Sequence, residues 1–287
     1  MKLNHIIIGT DFSEHSDTAI RHGIAIARST GATLRVTHVV ETSEDYWGPL
    51  RAALEHWQAD VQRRLAGQIQ AYTDEDVELA QEIVDAPSVA EGLESVAHVH
   101  HTDLVVLGSR GLTGLRQALL GSAVQRVLRT VTTHVMVARG EAPVASGYER
   151  ILIPTDFSPP AENALHLALA LAAPDARFDF LHCWRVPEVA LGDEDSELMI
   201  DNVAASVKER GQQLLKSFQQ DAPNATFSTV QASPAHGIAE ALESGDYDLV
   251  VMGSSGRSRL RRWLLGSVAE TTARIAPCGV AVARADS

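Results

Sequence analysis

Short runs of aliphatic residues alternate along the whole chain with stretches whose apolar positions recur every three or four residues. In the N-terminal half, residues 6–9 read as a strand. Ala19, Ile20, Gly23, Ile24 and Ala27 then form a helical stripe that stops before Gly31. Residues 34–40 read as a second strand. Trp47, Leu50, Leu54, Trp57, Val61, Leu65, Ile69 and Tyr72 fall at helical spacing and predict a long amphipathic helix. A strand near 77–83, a helix near 88–99, a strand at 103–108, a helix from Ser122 and a strand at 134–138 complete the unit. Strands that alternate with helices predict a parallel sheet with helices on both faces. Runs such as "LVVLG" have no polar side, as befits a sheet buried on both faces.

The pattern then repeats. "HIIIGTDFSEHS" (5–16) returns as "RILIPTDFSPPA" (150–161), so Asp11 maps to Asp156, 145 positions on. Asp103 maps to Asp248 and Gly108 to Gly253 at the same offset, and His38 maps to His182. The sequence therefore predicts two tandem α/β domains, 1–140 and 149–287, each a five-stranded parallel sheet, with a linker at 141–148 inside the small-residue stretch "RGEAPVASGYER". In such sheets ligands bind beyond the carboxyl ends of the strands, where the strand order reverses. That rule singles out the residues after the first and fourth strands, Asp11 and the Gly108 loop, and their copies.

The loop carries suggestive chemistry. "LGSRGLTGLRQALLGSAV" has Gly108, Gly111, then Gly121-Ser122 nine residues later, and "MGSSGRSRLRRWLLGSVA" repeats this with Gly253, Gly256 and Gly266-Ser267. Gly108 and Gly111 can take positive φ and let the backbone approach a ligand. Gly121-Ser122 falls where a helix begins, which supplies open N–H groups for phosphate, with Ser122 as cap. Arg110 and Arg116 lie in the first loop, and Arg257, Arg259, Arg261 and Arg262 in the second. The spacing is neither a Walker loop nor a dinucleotide fingerprint.

Composition narrows the field. Hydrophobic residues make up 45% of the 287, enough for real cores, and the net charge of −13 disfavours nucleic acid or anionic lipid as partners. No apolar run approaches the ~20 residues of a membrane span. "MKLNHIIIGTDFSEHS" lacks a signal-peptide pattern, and Cys183 and Cys278 read as free thiols, so a cytosolic location is expected. His98, His100 and His101 read as solvated histidines rather than zinc ligands. The acidic run at 192–197 reads as a surface loop, and the helix bearing Trp47 and Trp57 as core and lid packing. No base–nucleophile pair is evident, and Cys183 has no activating neighbour in sequence.

The Gly-x2-Gly-x9-Gly-Ser loop after a strand, with "TDFS" after the first strand, resembles the ATP-binding branch of the universal stress protein family, and the resemblance covers nearly all of both halves. It implies adenine nucleotide with Mg²⁺ at the strand ends. Asp11 would lie near the ribose and metal-phosphate region, Val39 would face adenine, and Gly108, Ser109, Arg110, Gly111, Gly121 and Ser122 would hold phosphates. The matching residues are Asp156, Cys183, Gly253, Ser254, Gly256, Gly266 and Ser267. Asp11 and Asp156 would meet Mg²⁺ directly or through water. The family usually has proline before "TDFS"; Pro154 fits and Gly9 departs. The implied role is a stress or signalling module with an unnamed protein partner; slow ATP hydrolysis, phosphotransfer, or a scaffold holding another phosphate ligand such as a cyclic nucleotide are the alternatives. The resemblance further implies an internal pseudo-dimer through residues 133–139 and 279–285, and leaves room for a further homodimer.

Overall fold

The computed structural model describes residues 1–42, 51–72, 76–111, 120–143, 147–185, 195–256 and 265–284. The first half comprises β1 (His5–Gly9), α1 (Glu14–Thr30), β2 (Thr33–Glu41), α2 (Arg51–Gln70), β3 (Leu79–Ala86), α3 (Val89–Val99), β4 (Leu104–Gly108), α4 (Ser122–Thr130) and β5 (His134–Ala138). The second comprises β6 (Tyr148–Pro154), α5 (Pro159–Leu171), β7 (Ala172–Trp184), α6 (Asp195–Ser217), β8 (Ala225–Gln231), α7 (Pro234–Ser244), β9 (Leu249–Gly253), α8 (Ser267–Ile275) and β10 (Gly279–Ala283). Strand β3 begins two residues later than its apolar pattern suggests and runs on to Ala86, in register with β2 as far as Glu41. Strand β6 starts at Tyr148, the last residue of the expected linker. Trp47, Leu50 and residues 192–194 of the acidic run lie outside the described residues.

All ten strands form one sheet, in the order β3-β2-β1-β4-β5-β10-β9-β6-β7-β8. Each half is parallel throughout, and its strand order reverses between β1 and β4, or between β6 and β9. The halves meet through β5 and β10, which pair antiparallel with Val135 opposite Val282, Met136 opposite Ala281 and Val137 opposite Val280. Val135 and Val137 are the repeat counterparts of Val280 and Val282, so the contact is isologous, with Met136 and Ala281 at its centre. The join removes two open sheet edges.

The period-2 alternation of buried strands divides the core into two layers. Ile6 and Ile8 face one layer with α1, and Ile7 faces the other with α3. Ile151 and Ile153 join the first layer and Leu152 the second, so each layer runs through both halves. Helix α1 shows how local signals fix these elements. Ser13 caps it through a bond from Ser16 N–H, and Gly31 ends it at φ +74 with its N–H on the Ala27 carbonyl.

One polar pair interrupts the apolar layer at the junction. Tyr148, fully buried at the start of β6, places its Oη 2.6 Å from Nδ1 of His22 on α1 of the other half. The same hydroxyl lies 3.6 Å from Met136 Sδ. Burial is the main reason that the His22 pKa falls from 6.5 to about 4. On the opposite layer Arg129 of α4 pairs with Glu270 of α8 at 2.6 Å.

Candidate functional site

The site is assembled from a turn after the first strand of each half and a loop after the fourth. In the turn, the Ser13 N–H and hydroxyl donate to Asp11 Oδ1 at 3.1 and 2.6 Å. The Ser158 N–H and hydroxyl bind Asp156 Oδ1 the same way. Each aspartate is thereby held as an Asx turn that feeds directly into a helix. The price is a left-handed phenylalanine: Phe12 has φ +66 and Phe157 φ +59, a region that costs an L residue roughly 1–2 kcal/mol.

Side chains that the motif does not advertise hold this turn. His38 Nδ1 donates to the Thr10 carbonyl at 2.8 Å, and His182 Nδ1 to the Thr155 carbonyl at 2.7 Å. The Phe12 ring stacks on His38 at 4.4 Å, and Phe157 lies against His182 at 4.7 Å. Arg64 lies over the Phe12 ring, 4.3 Å from its centre. Burial, above all, lowers the His38 pKa, which favours the neutral ring that this clamp uses. The only sequence trace of the clamp is that a histidine recurs in the second strand of both halves.

The loop glycines divide by role. None of Gly108, Gly111, Gly121, Gly253, Gly256 and Gly266 has positive φ, contrary to the expectation for Gly108 and Gly111. A Cβ on Gly108 would run into the backbone carbonyl of His15, and one on Gly253 would sit 2.6 Å from the Pro160 carbonyl. These two glycines let α1 and α5 pack on the sheet, so their first duty is structural. Gly111 and Gly256 face the carboxylates instead. A Cβ on Gly256 would lie 2.9 Å from Asp156 Oδ2, and one on Gly111 would be closer still to Asp11 Oδ2. Gly121 N–H donates to the Ser109 carbonyl at 3.1 Å and Gly266 N–H to the Ser254 carbonyl at 2.7 Å, which folds the loop back beside its own start.

Gly121 and Gly266, not the serines, are the N-caps of α4 and α8, and neither helix has a side-chain cap. Ser122 and Ser267 are therefore first-turn residues, and their N–H groups and those following have no intrahelical acceptor. Arg110 stands beside this terminus with its Nε buried and without a hydrogen-bond partner among the described residues. Its counterpart is Ser255. Arg116, Arg257, Arg259, Arg261 and Arg262 lie outside the described residues.

Turn, loop and helix terminus enclose a cleft in each half. The first, about 290 Å³, has Asp11, Gly111 and Ser122 at one end and Val39 and Leu93 at the other. The second, about 250 Å³, has Asp156, Gly256 and Ser267 facing Cys183 and Ile238. All the sequence-predicted residues except the buried Ser109 thus line these clefts, with polar and apolar ends separated. Gly92 and Gly237 complete the apolar ends: a Cβ there would lie 2.6 Å from Val39 Cγ1 or from Cys183 Sγ. Gly9 has its own reason, because a Cβ on it would lie 2.5 Å from Leu107, where the second half has the unbranched Met252 and Pro154. Burial raises the Cys183 pKa to about 11, which leaves a thiol wall rather than a nucleophile. His100 pairs with Glu82 at 3.0 Å, and no group of three metal-ligating side chains occurs among the described residues.

A duplicated doubly wound sheet with a cleft at each strand-order reversal defines a class of α/β protein, and comparison with known proteins narrows it. The model of the universal stress protein family matches twice, at residues 2–139 and 147–284; the chain belongs to that family. A universal stress protein of Mycobacterium tuberculosis is 29% identical over 301 aligned positions, covering 99% of this chain and 98% of the relative. One from Methanocaldococcus jannaschii is 35% identical over 143 positions, 48% of this chain and 82% of its own. The crystal structure of a universal stress protein from Archaeoglobus fulgidus shares the fold, with a TM-score of 0.68 at 20% identity and 99% of both chains covered. No helix among the described residues is long and apolar enough to cross a membrane.

Proposed function

We propose that each cleft binds an adenine nucleotide, ATP with Mg²⁺, and that occupancy tunes the contacts of a cytosolic stress-response module. One observation carries the reading: in both halves a glycine that a Cβ would drive into the aspartate carboxylate faces an uncapped helix N-terminus across a small cleft. Such a terminus favours phosphate through its open N–H groups and partial positive charge. The unpartnered Nε of Arg110 is a further donor in the first cleft. Volumes of about 290 and 250 Å³ sit near the lower end of ligand pockets and suit the nucleoside, with phosphates along the loop. Mg²⁺ takes one or two carboxylates with phosphate oxygens and water, which matches a single aspartate per cleft. The metal would neutralise phosphate charge; Asp11 and Asp156 would hold it, and the backbone of Val39 and the wall at Cys183 would receive the base.

The test is calorimetric titration of Mg²⁺-ATP into purified protein, with mass spectrometry of any ligand released on denaturation. Two sites per chain, or a co-purified adenine nucleotide, are expected. Absence of both binding and bound nucleotide overturns the reading. Phosphate release should stay sub-stoichiometric per minute; sustained turnover would favour an enzyme.

A further inference from the structure

A run of contacts through the junction links the two clefts. Strands β4 and β5 are parallel neighbours with Gly108 opposite Ala138, so Arg110 and Arg139 follow adjacent strand ends on the same rim of the sheet. Arg110 lines the first cleft, and a Cβ on Gly121, the cap of α4, would lie 3.5 Å from its Cα. Arg139 reaches the other way, across the junction. Its Nη1 donates to the Ala276 carbonyl at 2.6 Å and to the Arg274 carbonyl at 3.3 Å, at the end of α8. Helix α8 is nine residues long, and its opposite end, at Gly266 and Ser267, walls the second cleft. One arginine thus borders the first cleft, and its neighbour holds the helix that closes the second.

The two arginines carry like charge, and neither forms an ion pair among the described residues. Burial is the first cause of the lowered Arg139 pKa, and the charge of Arg110 is the second. Both work against a charged guanidinium seated on the α8 carbonyls. In the other half the pairing differs. Gly253 lies opposite Ala283, so the position beside Arg284 that matches Arg110 is the neutral Ser255. The charge that acts on Arg284 is the favourable one of Glu94.

We infer that a phosphate-bearing ligand in the first cleft is transmitted to α8, and through it to the second cleft. An anion beside Arg110 cancels its push on Arg139. Arg139 then seats more firmly on the α8 carbonyls and steadies the helix whose first turn faces the second cleft. The element with two arrangements is the Arg139 cap, seated or withdrawn. Linkage makes the effect mutual, so each cleft fills more readily when the other is filled. The inference rests on the nucleotide reading for its ligand, whereas the contact from Arg110 through Arg139 to α8 stands without it.

Hydrogen exchange at the last turn of α8, read by mass spectrometry on the full chain, is the test. The Ala276 N–H bonds to the Thr272 carbonyl at 2.9 Å only while that turn is formed. Without nucleotide, Arg110→Ser, which installs the serine of the other half, should slow this exchange at least about twofold. Arg139→Gln should quicken it and should erase the effect of Arg110→Ser in the double variant. Arg110→Ser alone decides the link if Arg139→Gln fails to fold. Gly256→Asp sets a carboxylate in the second cleft and isolates the first. There Mg²⁺-ATP should slow the α8 turn, and should do nothing further once Arg110→Ser is added. Equal exchange in the wild type and Arg110→Ser overturns the proposal, whatever the clefts bind. So does an α8 turn unmoved by Mg²⁺-ATP in Gly256→Asp when calorimetry shows that the wild type binds nucleotide. Absence of nucleotide binding in the wild type overturns the nucleotide reading, and the ligand half of this proposal with it, while a slowed turn in Arg110→Ser still upholds the link.

Discussion

Arg139 and Arg284 cross the junction between the halves in opposite directions, each closing the last helix of the other half. Arg139 Nη1 donates to the Ala276 carbonyl at 2.6 Å and to that of Arg274 at 3.3 Å, at the end of α8. Arg284, its counterpart 145 positions later, donates to the Leu128 carbonyl near the end of α4. Helix C-termini leave carbonyls without partners and carry partial negative charge, so a cation there satisfies both needs. Burial is the chief cause of the lowered pKa of both arginines, with Arg284 at about 10.

Replacing either arginine with alanine should cost ~1–3 kcal/mol, since buried carbonyls lose their donor. The double variant should show non-additivity only if the junction responds as a unit. Urea denaturation of the two single variants and the double variant measures this; a loss below about 0.5 kcal/mol in both singles would show that water replaces the guanidinium groups.

The loop glycines should separate stability from binding. Gly108→Ala pushes a Cβ into the His15 carbonyl and should lower the melting temperature by several degrees, a ~1–3 kcal/mol effect of overpacking. Gly111→Asp and Gly256→Asp set a second carboxylate beside Asp11 or Asp156 and should weaken nucleotide binding by about tenfold or more, with a smaller drop in melting temperature than Gly108→Ala because the clash is with a side-chain end rather than backbone. Calorimetric titration beside a thermal melt distinguishes them, and equal nucleotide affinity in the double aspartate variant would remove the loops from the site.

His22 should make the protein acid-sensitive. Its folded pKa of about 4 lies below the ordinary 6.5, so the unfolded chain binds more protons between these values. The stability of the neutral ring is complete above pH 6.5 and declines as pH falls toward 4, by about 3 kcal/mol at the lower limit. Chemical denaturation at stepped pH should show a shallower decline in His22→Leu, which places at this position the residue that Leu167 supplies in the other half. Identical slopes in the two proteins would assign the acid sensitivity elsewhere.

Cys183 offers a reporter for the second cleft. With its pKa raised to about 11, the thiol should react with a disulfide reagent at pH 8 far more slowly than a free cysteine, whose pKa is about 8.5. Cys278, buried and pushed up to about 12, should be slower again. Mg²⁺-ATP should slow modification of Cys183 and leave that of Cys278 unchanged; equal rates with and without nucleotide would argue that the second cleft stays empty.

Most of the architecture was legible because it rests on local periodicity: buried strands with no polar side, helical stripes, and a repeat that counts each signal twice. The cleft residues were legible for the same reason, since fold topology brings strand ends together whatever the side chains. Individual roles were less accessible. Gly108 looks like a ligand-binding glycine in sequence, yet the contact that demands it comes from His15, 93 positions away. Ser122 looks like a cap, but the cap is Gly121 and Ser122 is already the first residue of the helix. The left-handed Phe12 is invisible to pattern rules, because its conformation is imposed by the Asp11 turn and the His38 ring rather than by its own preference. The His22–Tyr148 contact spans 126 positions and no motif marks it.

The joining of both halves into one chain changes what a single substitution does. In a two-fold dimer of identical chains, every replacement appears at two symmetric places, and a variant useful in one is forced on the other. Here the symmetric scaffold is kept while its contents diverge position by position. Arg110 corresponds to Ser255 and Val39 to Cys183. His22 and Tyr148 bury one polar pair, where the equivalent positions are the buried Leu167 and Leu3. Two identical chains would have to bury that pair twice. The antiparallel β5–β10 seam also points the strands of the halves in opposite directions, so the two clefts open at opposite rims of the sheet. No one ligand can span them, and each rim is free to specialise.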